Sequence, residues 1–356
     1  MLIALVAAST YAILKTQAAD SASGSSRSST FTGTVLDTNE IKHIVPLDKI
    51  VSGGVPMDGI PSIDRPKFIS AAEGNRFLSD AEIVFGLNYA GEARAYPAMI
   101  LVWHEIVNDV VNEHPVLVTY CPLCYAAIAF ERTIDGDPVQ FGVSGKLYNS
   151  DLVMYDRLTE SYWSQILGKA IAGELSGREL GRIPIDFTTW GVWKSLHPDT
   201  LVLSKDTGFA RSYGADPYQG YYTSSEVWFP LEHEDQRLHP KTLIYGLAIG
   251  ELHGAYPRDT ISQRGVINDG VGGTNVAVWV VQDGPVRVYD RNVGNITLEF
   301  VLEDQRIFDM QTYSEWNLDG VAISGAYAGT QLTRIVGTEC FWFAWAAFYP
   351  DTGIYS

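Results

Sequence analysis

Cysteine is scarce in this chain: three thiols, Cys121, Cys124 and Cys340, in 356 residues. That excludes a disulfide-dense scaffold, and no second CxxC accompanies Cys121-Pro122-Leu123-Cys124 to complete a four-cysteine zinc ribbon. Basic charge is also short, with 25 Lys and Arg against 42 Asp and Glu and a net charge of −17. A nucleic-acid partner is excluded on that balance, because phosphate binding needs a basic face. The acidic surplus suits a well-solvated surface, a saline habitat or attraction of cations. The N-terminal apolar run, Leu2 to Leu14, falls short of the about 20 residues that span a bilayer. It matches the hydrophobic region of a signal peptide, with Ala18 and Ala19 as small cleavage-site residues, although no basic leader precedes it. A buried N-terminal helix is the plainer alternative. The expectation is an extracytoplasmic protein, secreted or tethered to the membrane through its N-terminus.

What is present belongs to a folded domain: 46% hydrophobic and 12% aromatic residues. The chain is read as a signal peptide or anchor over 1–19 and a serine-rich linker with an extended arm over 20–69. Turns in the arm are expected at Gly53-Gly54 and Asp58-Gly59. Comparing the chain with itself reveals repeated segments. GLNYAGEARAYP from Gly86 recurs as GLAIGELHGAYP from Gly246, and Ile106-Val107-Asn108-Asp109 recurs as Val266-Ile267-Asn268-Asp269. Trp163 is echoed by Trp316, and Trp193 with HPDT at His197 by Trp345 with YPDT at Tyr349. The order is preserved throughout, which reads as an internal duplication. The first repeat covers 70–205 and the second, degenerate and serving as scaffold, 241–356. A tyrosine-rich connection, 206–240, separates them. Short Val-, Ile-, Tyr- and Phe-rich segments punctuated by Gly and Pro predict a mainly β fold with some α (α+β), in two similar β-rich subdomains. Helices are expected over Ala98 to Val110 and Phe341 to Phe348.

The duplication separates architecture from candidate chemistry. His104 faces Arg264 in the second repeat, while Cys121 and Cys124 face Val281 and Gly284, so the distinctive residues lie in the first copy alone. The stretch VTYCPLCYAAIAFER predicts a strand, a tight CxxC turn and a second strand. Such a pair can bridge as a disulfide, exchange thiols or present two thiolates to a soft metal. No thioredoxin-like βαβ pattern surrounds it. His104 beside the cysteine strand adds an imidazole, a set that suits copper outside the cell and also zinc. Against this stands the ordinary role of a lone histidine as a hydrogen-bonded core or surface group. Downstream, Tyr148-Asn149-Ser150-Asp151 and Tyr155-Asp156-Arg157 offer polar support. Asn149 and Asp151 share a strand face, where they could reach a metal, orient His104 or bind a ligand. Turn capping by Asn, Ser and Asp, and a plain Asp156-Arg157 ion pair, are the structural alternatives. Ser144 in GVSGK is no nucleophile elbow, since Lys146 stands where the second glycine belongs. Trp163 and the Tyr/Trp residues of the connection (Tyr218, Tyr221, Tyr222, Trp228) could line a ligand groove or pack a core.

The combination TYCPLC-x5-F, FGVSGKLYNSDLVMYDR, YWSQ and W-x4-PDT resembles a prokaryotic secreted family, domain of unknown function 3179, from about Pro66 to Tyr355. The resemblance implies more weight on Cys121 than on Cys124 and leaves Cys340 outside the site. It implies no reaction. The reading is therefore an exported protein with a transition metal, copper first and zinc second, or thiol redox chemistry. Cys121, His104 and Cys124 are the candidate ligands, with Asn149, Asp151, Tyr148, Tyr155, Asp156, Arg157 and Trp163 around them. The alternative is a non-catalytic envelope or binding module, with a structural Cys121–Cys124 disulfide and an envelope protein or glycan as partner.

Overall fold

The computed structural model describes residues 35–356 except 39, 282 and 283. The expected signal peptide or anchor, and the linker's first part, lie outside the described residues. Among those described, no helix is long and apolar enough to cross a membrane.

Alternating Val, Ile and aromatic residues separated by two-residue turns produce a β-rich fold of hairpins. Strands Ile83–Tyr89 and Glu92–Pro97 pair across Ala90-Gly91, both in the left-handed conformation such a turn requires. Ile106–Val111 and His114–Cys121 pair across Asn112-Glu113 in the same way. The helix expected over Ala98 to Val110 covers only Ala98–Leu101. Ile106, Val107, Val110 and Val111 are β-branched, and they give strand Ile106–Val111 as partner to His114–Cys121 instead. The expected C-terminal helix is present as Trp342–Phe348.

Both halves of the chain run through one series of pairings. In the first half Asp186–Thr189, Ile83–Tyr89, Glu92–Pro97 and Leu201–Leu203 lie side by side. In the second, Thr338–Phe341, Leu243–Ile249, Leu252–Pro257 and Gly353–Ile354 do so in the same order. A second sheet follows in each: Ile106–Val111, His114–Cys121, Ala126–Glu131 and Arg182–Ile183, against Val266–Val271, Thr274–Trp279, Arg287–Asp290 and Arg334–Ile335. The repeated Asn and Asp carry the same bonds in each. Asn108 clasps the backbone of Phe141 at 2.8 Å as Asn268 clasps that of Phe300. Tyr96 donates to Asp109 as Tyr256 donates to Asp269.

The halves differ most at one hairpin. In the second half, Phe300–Glu303 and Arg306–Asp309 pair from Phe300↔Asp309 and turn at Asp304-Gln305. The first-half hairpin, Phe141–Tyr148 with Asp151–Asp156, pairs from Phe141↔Asp156 but runs out to Tyr148↔Asp151 before turning at Asn149-Ser150. The longer strand is bulged between Val143 and Lys146. Gly145 lies in the bulge at φ +72°, and a Cβ there would meet the Val55 carbonyl at 2.2 Å. The GVSGK motif is therefore a landing for the N-terminal arm, whose Gly53 amide bonds the Gly145 carbonyl at 2.8 Å.

The largest hydrophobic cluster does not belong to one half. It joins Cys121, Cys124, Leu152 and Trp163 to Ile244, Cys340, Phe341 and Trp342, with Tyr221 of the connection between them. Residues 206–240 form no helix or strand and lie against this junction.

Candidate metal centre

Cys121 ends one strand, Ala126 begins the next, and the two pair directly, so Pro122 to Tyr125 make a tight loop. Tyr125 closes it at φ +55°, the left-handed residue that lets so short a loop return. The loop tip turns Cys124 inward against the Asn149-Ser150 turn of the extended hairpin. Its Sγ lies 3.4 Å from the Ser150 carbonyl and 3.6 Å from Asp151 Oδ1. Cys121, Cys124 and Asp151 each direct one donor atom into a common space, all within 4.8 Å of one another. All are buried, and none of the three cysteines is bridged to another.

The environment is hostile to lone charge. Burial, then the neighbouring Cys121, pushes the Cys124 thiol well above its ordinary range. Burial lifts the Asp151 carboxyl to about 7, even though the Ile166 amide (3.0 Å) and the Ser164 hydroxyl (3.2 Å) donate to its Oδ2. Without a cation, Cys124 holds its proton. A bound cation supplies the charge that deprotonates such a set.

Glu105 is the residue that sequence reasoning passed over. Its backbone sits at φ +58°, and the equivalent position in the second half is Gly265, at φ +70°. Each accepts at its carbonyl from the neighbouring strand, Tyr120 at 2.7 Å and Val280 at 2.9 Å. Glycine takes this conformation freely whereas glutamate is strained in it. Burial, then Asp151, pushes the Glu105 carboxyl up to about 8. The available signal was the Glu/Gly mismatch between the two halves at matching turns. Two further groups come from outside the first half. Lys241 places its ammonium 3.2 Å from the centre of the Tyr221 ring and donates to the Glu226 carbonyl at 2.9 Å. Burial draws it down to about 8, although Cys124 pulls the other way. Cys340 follows from the pairing of the halves, its neighbour Phe341 donating to the Cys124 carbonyl at 2.9 Å. The family resemblance left Cys340 aside, but it lies buried next to the centre.

The remaining candidates do not converge. His104 is spent on both ring nitrogens: Nδ1 meets the Pro61 carbonyl at 2.7 Å and Nε2 meets the Tyr213 hydroxyl at 2.6 Å. Burial lowers it to about 4, so the ring is neutral. It is not among the three converging donors. Asn149 receives the Glu232 amide at 2.8 Å and donates to the Ala347 carbonyl, while Tyr148 donates to the Glu232 carboxylate. These two dock the connection rather than the centre. Tyr155 and Arg157 grip Asp58 of the arm, at 2.7 and 3.2 Å. Asp156 accepts from the Thr159 amide and Trp163 Nε1, as Asp309 does from Thr312 and Trp316 in the second half. Asp156 and Trp163 are a fastener present in both halves. The connection's rings pack on one another, Tyr221 against Trp228 at 4.5 Å.

The fold is β-rich, and among the described residues one cluster of Cys and Asp donors converges, at the join of the two halves. The chain belongs to the family described as protein of unknown function (DUF3179), whose model matches residues 57–352. No curated protein and no solved structure matches it.

Proposed function

We propose that this protein binds one thiophilic transition-metal ion through Cys121 Sγ, Cys124 Sγ and an Asp151 carboxylate oxygen. The observation that carries the reading is the convergence of two buried sulfurs and one buried carboxylate within 4.8 Å. Zinc is the preferred ion, because it accepts thiolate and carboxylate together in a tetrahedral shell. The case for copper rests on imidazole, and His104 has both nitrogens engaged elsewhere. Thiol exchange is disfavoured, since a reactive cysteine needs a depressed thiol and burial raises that of Cys124. We read the halves as duplicated copies, supported by their matching registers, of which only the first acquired the hairpin extension that carries Asp151. The N-terminal apolar run supports export, and so an extracytoplasmic site of action.

Competition for zinc against a chromophoric chelator tests this. Asp151→Asn weakens binding by about tenfold or more, and Cys121→Ser abolishes it. His104→Gln, with its fold verified by circular dichroism, binds as tightly as the unaltered protein. Equal affinity in the Asp151 variant, or loss of zinc in the His104 variant alone, would overturn the assignment.

A further inference from the structure

Two hydroxyls beside the sulfurs have no polar partner except each other. Ser150 Oγ and Tyr221 Oη are buried and adjacent, and neither makes a well-formed hydrogen bond. Ser150 is 0% exposed and Tyr221 1%. A buried hydroxyl without a well-formed hydrogen bond is destabilising, so two at one place mark a position where a further polar group belongs. Both border the metal set. Ser150 precedes Asp151, and its carbonyl meets Cys124 Sγ at 3.4 Å. The Tyr221 hydroxyl lies beside Ser150 without closing a hydrogen bond to it, and it faces Cys124 and Cys121.

Three protein donors leave a tetrahedral ion one ligand short, the arrangement of catalytic zinc rather than structural zinc. Among the described residues, no fourth Cys, His, Asp or Glu joins the three. We propose that the fourth position is open to an exchangeable oxygen ligand, held by hydrogen bonds to Tyr221 Oη and Ser150 Oγ. This rests on the metal reading above. Charge indicates the class of ligand. Two thiolates, one carboxylate and a divalent ion leave one negative charge, which the Lys241 ammonium on the Tyr221 ring offsets. The site is thus neutral with a neutral occupant: water at rest, exchangeable for the carbonyl or hydroxyl oxygen of a small substrate. Tyr221 belongs to the connection, so that segment completes the site and does not merely link the halves.

Cobalt(II) substitution reads this directly, because its visible bands and paramagnetic resonance report on bound ligands. In the cobalt protein, 17O-enriched water broadens the resonance and acetamide, a neutral carbonyl-oxygen donor, shifts the visible bands saturably. Tyr221→Phe and Ser150→Ala each keep a full complement of cobalt and weaken acetamide binding by about three- to tenfold, the worth of one hydrogen bond. Bound cobalt that responds to neither labelled water nor acetamide would show a closed, structural site and overturn the proposal. Unchanged acetamide affinity in both variants would remove the hydroxyls from it. A protein that takes up no cobalt would instead defeat the underlying metal assignment.

Discussion

Glu105 combines three unfavourable choices: a charged side chain, a buried place and a left-handed backbone where the second half uses glycine. Its ordinary pKa of 4.5 rises to about 8 in the fold. The folded protein therefore binds a proton there that the unfolded chain has released, and stability falls as pH climbs through that interval. His104 works in the opposite sense between about 4 and 6.5, and its effect is complete above that. From pH 6.5 to 8 the metal-free protein should lose about 1–2 kcal/mol through Glu105. Chemical unfolding across this range checks it, and Glu105→Gln should lessen the slope, leaving the part near pH 7 that Asp151 and Glu339, both raised to about 7 by burial, contribute in the same sense. Cys121, Cys124 and Asp151 could be picked as candidates because thiols and a polar turn are visible without coordinates, and the structure brings them together. The sequence did not place Lys241, Tyr221 or Cys340 beside them, because these lie seventy or more residues away and arrive only through packing of the halves. The engagement of His104 was hidden for a related reason, since its partners Pro61 and Tyr213 come from remote loops.

At the scale of elements, the extended hairpin Phe141–Asp156 does two jobs with one turn. Asn149 and Ser150 both take positive φ, and Asn149 spends its side chain on the Glu232 amide at 2.8 Å. Asn149→Gly keeps the backbone conformation and deletes that anchor. It should cost about 1 kcal/mol and raise hydrogen exchange at the Glu232 amide, while zinc affinity stays within a few-fold. Turns of this kind are the most readable elements, because Asn, Asp and Gly announce them: Asp135-Gly136 closes a hairpin with both residues at positive φ. The segment Ala98 to Val110 was misread because an apolar run of that length suits either a helix or a short helix followed by a buried strand. Only its pairing with His114–Cys121 decides.

Across the whole molecule, the halves meet through reciprocal contacts. Arg182 donates to Thr338 at 2.9 Å, and the corresponding Arg334 donates to Asp186, which stands where the second half has Thr338. Asp186 also accepts from buried Arg287 at 2.6 Å. Burial opposes the charge of Asp186, but the two guanidiniums outweigh it and hold the carboxyl below its usual range. Asp186→Asn removes the carboxylate shared by the two guanidiniums, leaving Arg287 with Asp319 alone, and should cost about 1.5–3 kcal/mol, read as a lower urea midpoint. Because the centre lies in the core shared by the halves, the same variant should also bind zinc more weakly without altering a ligand. The similar segments of the two halves were legible in the sequence; how the halves pack, and hence the placing of the donor cluster at their join, was not.

The most direct test is the metal-to-protein ratio, by elemental mass spectrometry, of untagged protein purified without chelators. About one zinc per chain, with Cys121 and Cys124 shielded from alkylation until the metal is stripped, is the predicted result. A folded protein that carries no transition metal after zinc reconstitution, its thiols equally reactive before and after chelation, would contradict the account.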